Sequence, residues 1–347
     1  MSKKFLGRQV AATALFLTAA VAATGSAYAK ELNLYTTREP SLIQPLLDAY
    51  TKESGIQVKT IFVAEGLLER VKAEGERSPA DVLMTVDIGN LMDLVEGGVT
   101  QSVKSTTLEQ VIPANLRGAD GQWFTLSMRD RVLYVEKDLP LTAFTYEELA
   151  DPKWKGKVCI RSGQHPYNTA LIAAKIAHDG VESAQAWLEG VKQNLARPAA
   201  GGDRNVARDI LGGICDLGIA NAYYVGHMKN AEPGTEDRAW GDAIKVIRPT
   251  FASSTDGGTH VNISGASVAK NAPNRDNAVA FLEYLVSAEA QALYANANYE
   301  YPIREGVALD PVIAQLGPLK ADTLDVAEVA KHRKQASELV DKVGFDN

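Results

Sequence analysis

The chain has 347 residues, a length typical of about two domains. Hydrophobic residues make up 46% and charged residues 23%, which excludes a wholly disordered chain, and the 28 glycines and 14 prolines follow no period, which excludes a collagen-like sequence. The 36 basic and 43 acidic residues leave a net charge of −7, and this disfavours a nucleic-acid-binding protein because such proteins need a positive surface.

The first 29 residues have the three parts of a secretory signal peptide. Three basic residues precede an apolar run over residues 10–23, and small residues precede a cleavage site after Ala29. The apolar run is too short for a membrane anchor, which needs about 20 residues. We therefore predict a mature protein that begins at Lys30 and is located in the bacterial periplasm.

The mature chain begins with alternating strands and helices. Strands are predicted over residues 31–36, 56–62 and 81–84, and helices are predicted from an N-cap at Ser41 to Gly55, over 65–77 and over 88–96. Alternation of this length is typical of parallel β-α-β units, and it predicts an α/β fold.

The pattern then changes at residues 125–135, an extended stretch longer than any earlier strand. Further strands are predicted over 158–160, 216–220 and 261–268, a second long extended region over 243–251, and helices over 169–179, 183–193, 274–286, 288–296 and 326–342. Two α/β lobes joined by long crossings are typical of a hinged binding protein. We predict a discontinuous first lobe of residues 30–128 and 252–347 and a second lobe of residues 129–251. Two independent domains in tandem are the alternative. We prefer the interleaved lobes because the middle of the sequence contains no Pro/Ser/Gly-rich linker that would separate tandem domains.

Cys159 and Cys215 are the two cysteines of the sequence. In an oxidising compartment an even pair favours a disulfide, and two buried free thiols are the alternative. Without CxxC spacing, they predict neither a zinc nor an iron–sulfur site.

Motifs of common enzyme classes are missing from the sequence. It contains no GxSxG, HExxH or GxxxxGK[ST] motif and no GxGxxG after a predicted strand, and its five histidines are dispersed. No nucleophile–base pair indicates a reaction, so we expect a protein that is not an enzyme.

Tyrosines follow two of the predicted strands. Tyr223 and Tyr224 come after the strand over 216–220, and Tyr167 lies in the loop after the strand over 158–160. Open α/β sheets bind ligands at the carboxyl ends of their strands. A phenolate oxygen is a hard anionic donor that suits Fe³⁺, and a trivalent ion can displace the proton of a phenol whose free pKa is about 10. From spacing alone, aromatic residues that only cover the core are the alternative interpretation.

Several segments together resemble one family. The runs Asn221-Ala222-Tyr223-Tyr224-Val225-Gly226 and Pro166-Tyr167-Asn168-Thr169 are similar to those of periplasmic ferric-ion-binding proteins, which supply ABC iron importers. The same holds for residues 34–38, 78–82, 129–132 and 301–307, so the resemblance covers nearly the whole mature chain. It implies a two-lobed type II periplasmic binding fold that captures Fe³⁺ in its cleft, acts as a monomer, and delivers the ion to an inner-membrane permease and its ATPase.

The resemblance also implies the ligands. Tyr167, Tyr223 and Tyr224 match the three iron-binding tyrosines of the family. Many members add a histidine or tyrosine of the first lobe directly after the position of Arg38, where this sequence has Glu39 followed by a proline. Glu39 is therefore a candidate ligand on condition that its carboxylate points inward.

A small anion, commonly carbonate, accompanies the iron in this family. Arg38, Arg129 and Arg131 are the candidate residues for binding it, because a guanidinium fork fits a planar anion. Two other functions are open: a receptor on the same fold for a small organic solute, such as a polyamine, a phosphonate or a thiamine-like molecule, and a secreted enzyme on an α/β scaffold.

Overall fold

The computed structural model describes residues 31–254 and 257–347 together with Met1. The predicted signal peptide beyond Met1 and the cleavage site after Ala29 lie outside the described residues.

The strands are β1 Glu31–Thr36, β2 Gln57–Phe62, β3 Val82–Thr85, β4 Thr100–Gln101, β5 Phe124–Glu136, β6 Val158–Cys159, β7 Leu217–Asn221, β8 Ile244–Ile247, β9 Val261–Ala269 and β10 Tyr301–Pro302. The helices are α1 Pro40–Ser54, α2 Leu67–Glu74, α3 Ile88–Glu96, α4 Thr106–Val111, α5 Pro166–Gln193, α6 Asp203–Leu211, α7 Tyr223–Lys229, α8 Glu236–Asp242, α9 Arg275–Leu285, α10 Ala288–Ala297, α11 Pro311–Ala314, α12 Val326–Lys331 and α13 Arg333–Val343.

These strands join into one curled sheet with the order β2-β1-β3-β9-β5-β7-β6. β1 pairs in parallel with β2 and β3, and β6 pairs in parallel with β7, as the alternation of strands and helices predicts. β9 runs antiparallel to both β3 and β5. Among the described helices, none is both long and apolar enough to cross a membrane.

The long strand β5 passes through both halves of this sheet. Its residues 124–130 pair with β9, and its residues 131–135 pair with β7. The extended crossing predicted over 125–135 is therefore confirmed, and it is a single strand shared by two lobes.

Each lobe has its own apolar core. Leu34 of β1, Ile43 of α1 and Phe281 of α9 are fully buried in the first lobe, and Leu133 of β5 and Ile219 of β7 are fully buried in the second. Each such side chain contributes roughly 1.5–3 kcal/mol through removal from water. Because the lobes have separate apolar cores on one shared sheet, they can behave as distinct bodies.

The C-terminal helix differs from the prediction that residues 252–347 belong to the first lobe. Leu339 and Val340 of α13 and the following Phe345 lie in the core of the second lobe, where α13 packs against α5. α12 lies between the two lobes and contacts both α3 and α5. The sequence shows that this helix has an apolar face, but it does not show which lobe covers that face.

The other differences between the predicted and the observed structure concern where helices begin and end. The helices predicted over 169–179 and 183–193 form one element, α5, with a non-helical Gly180 at φ 82° between them. α1 begins after an N-cap at Glu39 rather than at Ser41, because Pro40 is favoured in the first turn. The helices α6 and α7 were not predicted, although Val206, Ala207 and Ile210 of α6 have helical spacing, and the region predicted as one helix over 326–342 breaks at His332.

The disulfide expected between Cys159 and Cys215 is present, with the two Cα atoms 5.9 Å apart. Cys159 ends β6, and Cys215 precedes β7, so the bond joins one strand to the segment that enters its parallel neighbour. Both residues are buried. The bond therefore fixes the spacing of the strands that lead to Tyr167 and to Tyr223.

Replacing both cysteines by alanine should lower the free energy of unfolding by roughly 2–4 kcal/mol, because the bond spans a sequence separation of 56 residues and restricts the unfolded chain. Guanidinium titration under oxidising conditions would measure this loss. A reducing agent should destabilise the natural protein and leave the double variant unchanged; equal stability of the two oxidised proteins would contradict the prediction.

Candidate metal centre

The three predicted tyrosines lie in the first turns of two helices. Tyr167 is the second residue of α5, and Tyr223 and Tyr224 open α7. These helices follow β6 and β7, whose parallel pairing brings their carboxyl ends to one edge of the sheet. The hydroxyl oxygens of Tyr167 and Tyr223 are 3.4 Å apart, and the ring centroids of Tyr223 and Tyr224 are 4.1 Å apart. The fold thus brings all three phenols together.

Burial makes the phenols of Tyr223 and Tyr224 poor acids in the absence of a cation. Burial, followed by the neighbouring phenols of Tyr167 and Tyr224, raises the pKa of Tyr223 well above its ordinary value. Burial and the Tyr167 phenol raise the pKa of Tyr224 to about 12. Tyr223 and Tyr224 therefore keep their protons at neutral pH, and an ion that binds their oxygens must displace those protons.

The phenols line a cavity of about 460 Å³ between the lobes. Its lining residues come from both lobes and from the shared strand: Thr37, Arg38, Glu39, Ser41, Leu42, Val86, Arg129, Tyr167, Arg204, Tyr223, Tyr224, His227, Asn298 and Glu300. A second cavity of about 590 Å³ also includes Thr37, Val86 and Tyr167 in its lining, so the cleft continues past Tyr167.

Arg38 lines the cavity, but a carboxylate already compensates its charge. Its Nη2 donates hydrogen bonds to Glu300 Oε1 at 2.7 Å and to Ser264 Oγ at 2.5 Å. Although burial opposes it, the positive charges of Arg38 and Arg129 hold the pKa of Glu300 below its ordinary value. The Arg38–Glu300 pair is a buried ion pair of the first lobe at the wall of the cleft.

Arg129 differs from Arg38 in its partners. Its Nη2 donates to the backbone carbonyls of Val86 and Ile263, and within the described parts of the chain it forms no ion pair with an acidic residue. Its guanidinium carbon is 5.4 Å from the centroid of the Tyr167 ring. Arg129 therefore brings to the phenols a positive charge that is not held in a direct ion pair, although it also interacts with Glu300 at longer range.

Arg131 is not part of the cavity wall, in contrast to its predicted place in an anion site. Its side chain is only 2% exposed. Nη1 donates to Asp203 Oδ2 at 2.5 Å and to Asn221 Oδ1 at 3.0 Å, and Nη2 donates to Asn168 Oδ1 at 2.6 Å. Protein acceptors take three of its five N–H groups, because its side chain points into the second lobe rather than into the cleft.

Glu39 lies at the rim of the cavity and is exposed. It is the N-cap residue of α1, and its side chain makes no capping hydrogen bond there. The carboxylate is therefore not committed to the helix.

Two histidines near the phenols were not predicted as site residues. His165 is the N-cap of α5, and its Nδ1 accepts a hydrogen bond from the backbone N–H of Tyr167 at 3.2 Å. Burial and the positive charge of Arg161 lower the pKa of His165 to about 3, which keeps the ring neutral and able to accept this bond. His227 lines the cavity, and its ring centroid is 6.1 Å from that of Tyr223. Pro166, a residue type favoured in the first turn of a helix, was the one signal in the sequence that could have marked His165 as an N-cap.

Other residues of the site are far apart in the sequence. The guanidinium carbon of Arg161 is 5.4 Å from the Tyr167 ring centroid, and Arg204 and Glu300 line the cavity. No sequence pattern connects these three with the tyrosines. Among the described residues, no group of three His, Cys, Asp or Glu side chains is arranged to hold a metal ion.

Comparison with known proteins identifies the family. Residues 46–321 match the model of the bacterial extracellular solute-binding protein family. The chain is 41% identical over 323 residues to iron uptake protein A2 of Synechocystis sp., an alignment that covers 92% of this chain and 91% of that protein.

Solved structures agree with this assignment. A ferric binding protein of Bordetella is 76% identical, with a TM-score of 0.87 over 91% of this chain and 100% of that chain. A Trichodesmium protein in complex with iron and citrate ligands is 42% identical, with a TM-score of 0.85 over 91% of this chain and 99% of that chain. The two-lobed type II periplasmic binding fold implied by the resemblance is confirmed. The chain belongs to the bacterial extracellular solute-binding proteins and, within them, to the periplasmic ferric-ion-binding proteins.

Proposed function

We propose that this protein captures ferric iron in the cleft between its lobes through the phenolate oxygens of Tyr167, Tyr223 and Tyr224. The convergence of the phenols carries the proposal: the Tyr167 and Tyr223 oxygens are 3.4 Å apart and the Tyr224 ring packs beside them, all on the cavity wall. Neutral phenols at this separation stabilise one another only weakly, whereas one cation can bind all three oxygens once the phenols ionise.

The chemistry of the donors favours Fe³⁺. Phenolate is a hard anionic ligand, and three phenolates balance the charge of a trivalent ion. Because burial holds the protons on Tyr223 and Tyr224, a weakly charged cation does not displace them easily, whereas a trivalent ion does. The site therefore favours cations of high charge over cations of low charge.

An anion completes the coordination in this proposal. Arg129 is the main partner of this anion, since the Arg129 guanidinium makes no direct ion pair among the described residues and lies beside the Tyr167 ring, whereas Arg38 is paired with Glu300. Arg131 is left out of the anion site because its donors face Asp203, Asn168 and Asn221. Carbonate is the simplest planar anion that a guanidinium fork fits. Glu39 is a candidate ligand of the first lobe, since its free carboxylate lies at the rim.

The proposal extends to transport. The signal-peptide pattern of residues 1–29 supports export to the periplasm, and the relatives are named for iron uptake and ferric binding. In this compartment a monomeric binding protein would deliver the ion to an inner-membrane permease and its ATPase. The role is that of a carrier and not of an enzyme.

Replacing Tyr223 or Tyr224 by phenylalanine should weaken the visible charge-transfer band of the iron-loaded protein and lower its iron affinity at least tenfold, about 1.4 kcal/mol. The reason is that each change removes one anionic oxygen while keeping the ring. Elemental analysis and visible spectroscopy of the purified protein, followed by competition with a chelator, would measure both effects.

Tyr284→Phe is the matched control, since this buried tyrosine lies in the core of the first lobe and should leave the band unchanged. Unaltered colour in both site variants would reject the phenolate ligands. A purified protein that carries an organic solute and shows no visible band with iron would support the organic-solute receptor instead.

Iron affinity should fall as the pH falls. Because bound iron replaces the protons of the phenols, each phenol should lower the logarithm of the apparent association constant by about one for each pH unit of acidification. Chelator competition at several pH values would give the slope, and Tyr224→Phe should reduce it by about one. A slope that is the same in the variant and the natural protein would contradict proton displacement from Tyr224.

Arg129→Met should lower the iron affinity and abolish the strengthening of binding by added bicarbonate, because the variant lacks the guanidinium that holds the anion. Titration with ferric nitrilotriacetate, with and without bicarbonate, would show this. Arg204→Met is the control at the same cavity, since Arg204 is already paired with Asp237 at 3.0 Å on the exposed side. An undiminished bicarbonate effect in Arg129→Met would assign the anion to another residue.

A further inference from the structure

Arg131 lies where β5 changes partner. Asp130 is the last residue of β5 that pairs with β9, and Arg131 is the first that pairs with β7, opposite Asn221. The backbone N–H of Arg131 donates to the carbonyl of His260 at 3.0 Å, and its carbonyl accepts a hydrogen bond from the Tyr146 hydroxyl at 2.5 Å. The backbone of Arg131 therefore belongs to the crossing between the lobes.

The side chain of Arg131 connects the two tyrosine segments. One guanidinium donates both to Asn168, the neighbour of Tyr167, and to Asn221, two residues before Tyr223. These acceptors lie on different elements, at the start of α5 and at the end of β7. The planar fork of arginine can bridge them, whereas the single ammonium of lysine cannot reproduce its directions.

Asp203 completes the connection from a third element, α6. Its Oδ2 accepts from Arg131 and from the backbone N–H of Asn221 at 2.8 Å, and it is fully buried. Asn168 in turn donates through Nδ2 to the carbonyls of Arg161 and Ser162. Both charges are buried, so removal of Asp203 leaves Arg131 without its acidic partner, and removal of Arg131 leaves Asp203 with only the longer contact to Arg161 at 3.4 Å.

We propose that Arg131 is a positioning residue that, through the buried pair with Asp203 and the amides of Asn168 and Asn221, holds Tyr167 at a fixed separation from Tyr223 and Tyr224. The inference deepens the proposed function and rests on it. All the side-chain partners of Arg131 lie in the second lobe, although its backbone lies at the crossing. The phenols therefore stay assembled when the lobes move, and the ordering cost of bringing them together is not incurred when iron binds.

Two variants test this with ferric nitrilotriacetate and bicarbonate as the iron source. Arg131→Lys keeps the charge and removes the fork, and Asn168→Ala keeps the ion pair and removes the link to Tyr167. In each variant, the visible band per bound iron should shift or weaken, and iron release to a competing chelator should accelerate at least tenfold. Both are measured at a temperature at which circular dichroism shows that the variant is folded. The two effects should be less than additive in the double variant, because both break the same connection.

Arg248→Lys is the matched control. Arg248, which is 13% exposed, pairs with the buried Asp130 at 2.9 Å beside the same crossing, yet it bonds neither Asn168 nor Asn221. This variant should lose thermal stability and keep the natural band, which separates positioning from a general loss of stability.

A natural band and release rate in Asn168→Ala would overturn the proposal whatever Arg131→Lys does, and this variant decides the question if Arg131→Lys does not fold. A loss of the band in Arg248→Lys equal to that in Arg131→Lys would also overturn it. A natural protein that binds iron without any visible band would instead refute the phenolate ligands of the proposed function, so the two failures are distinguishable.

Discussion

One strand, β5, belongs to both lobes, and the rest of the structure depends on this sharing. Its first half pairs with β9 and its second half with β7, so the lobes cannot separate without breaking a continuous, buried ladder of hydrogen bonds. The pairing of β5 changes from β9 to β7 between Asp130 and Arg131. Asp130 and Arg131, at that point, are both buried and both paired with an oppositely charged residue.

The same strand shows how neighbours decide the role of a residue type. Arg129 and Arg131 are two positions apart on β5, and their guanidinium carbons lie 5.4 Å and 5.9 Å from the Tyr167 ring centroid. Arg131 meets the carboxylate of Asp203, so its charge is compensated and its geometry is fixed. Arg129 meets backbone carbonyls, which leave its charge available to phenolates or to an anion. We therefore propose that Arg131 fixes the geometry of the phenols and that Arg129 supplies positive charge to the site.

Much of the secondary structure could be predicted because it depends on local periodicity. β1 and α3 have the predicted bounds, and Gly55 ends α1 in the left-handed region, as expected of a C-cap glycine. The short α7, with seven residues, has too few positions for a period, so its tyrosines were expected only to follow a strand. The placement of α13 on the second lobe was beyond prediction, because an apolar face is complementary to any apolar surface of suitable shape.

The sequence by itself determined the kind of chemistry: the number of cysteines, the phenols after two parallel strands, and the family to which these segments belong. Only the tertiary structure decided which charged groups are free to act. Asp203 is 72 residues from Arg131, and Glu300 is 262 residues from Arg38, so no local pattern reveals that these arginines are already compensated. The physical reason is that electrostatic compensation depends on distance in space and on burial, whereas sequence patterns report the spacing of neighbours along the chain.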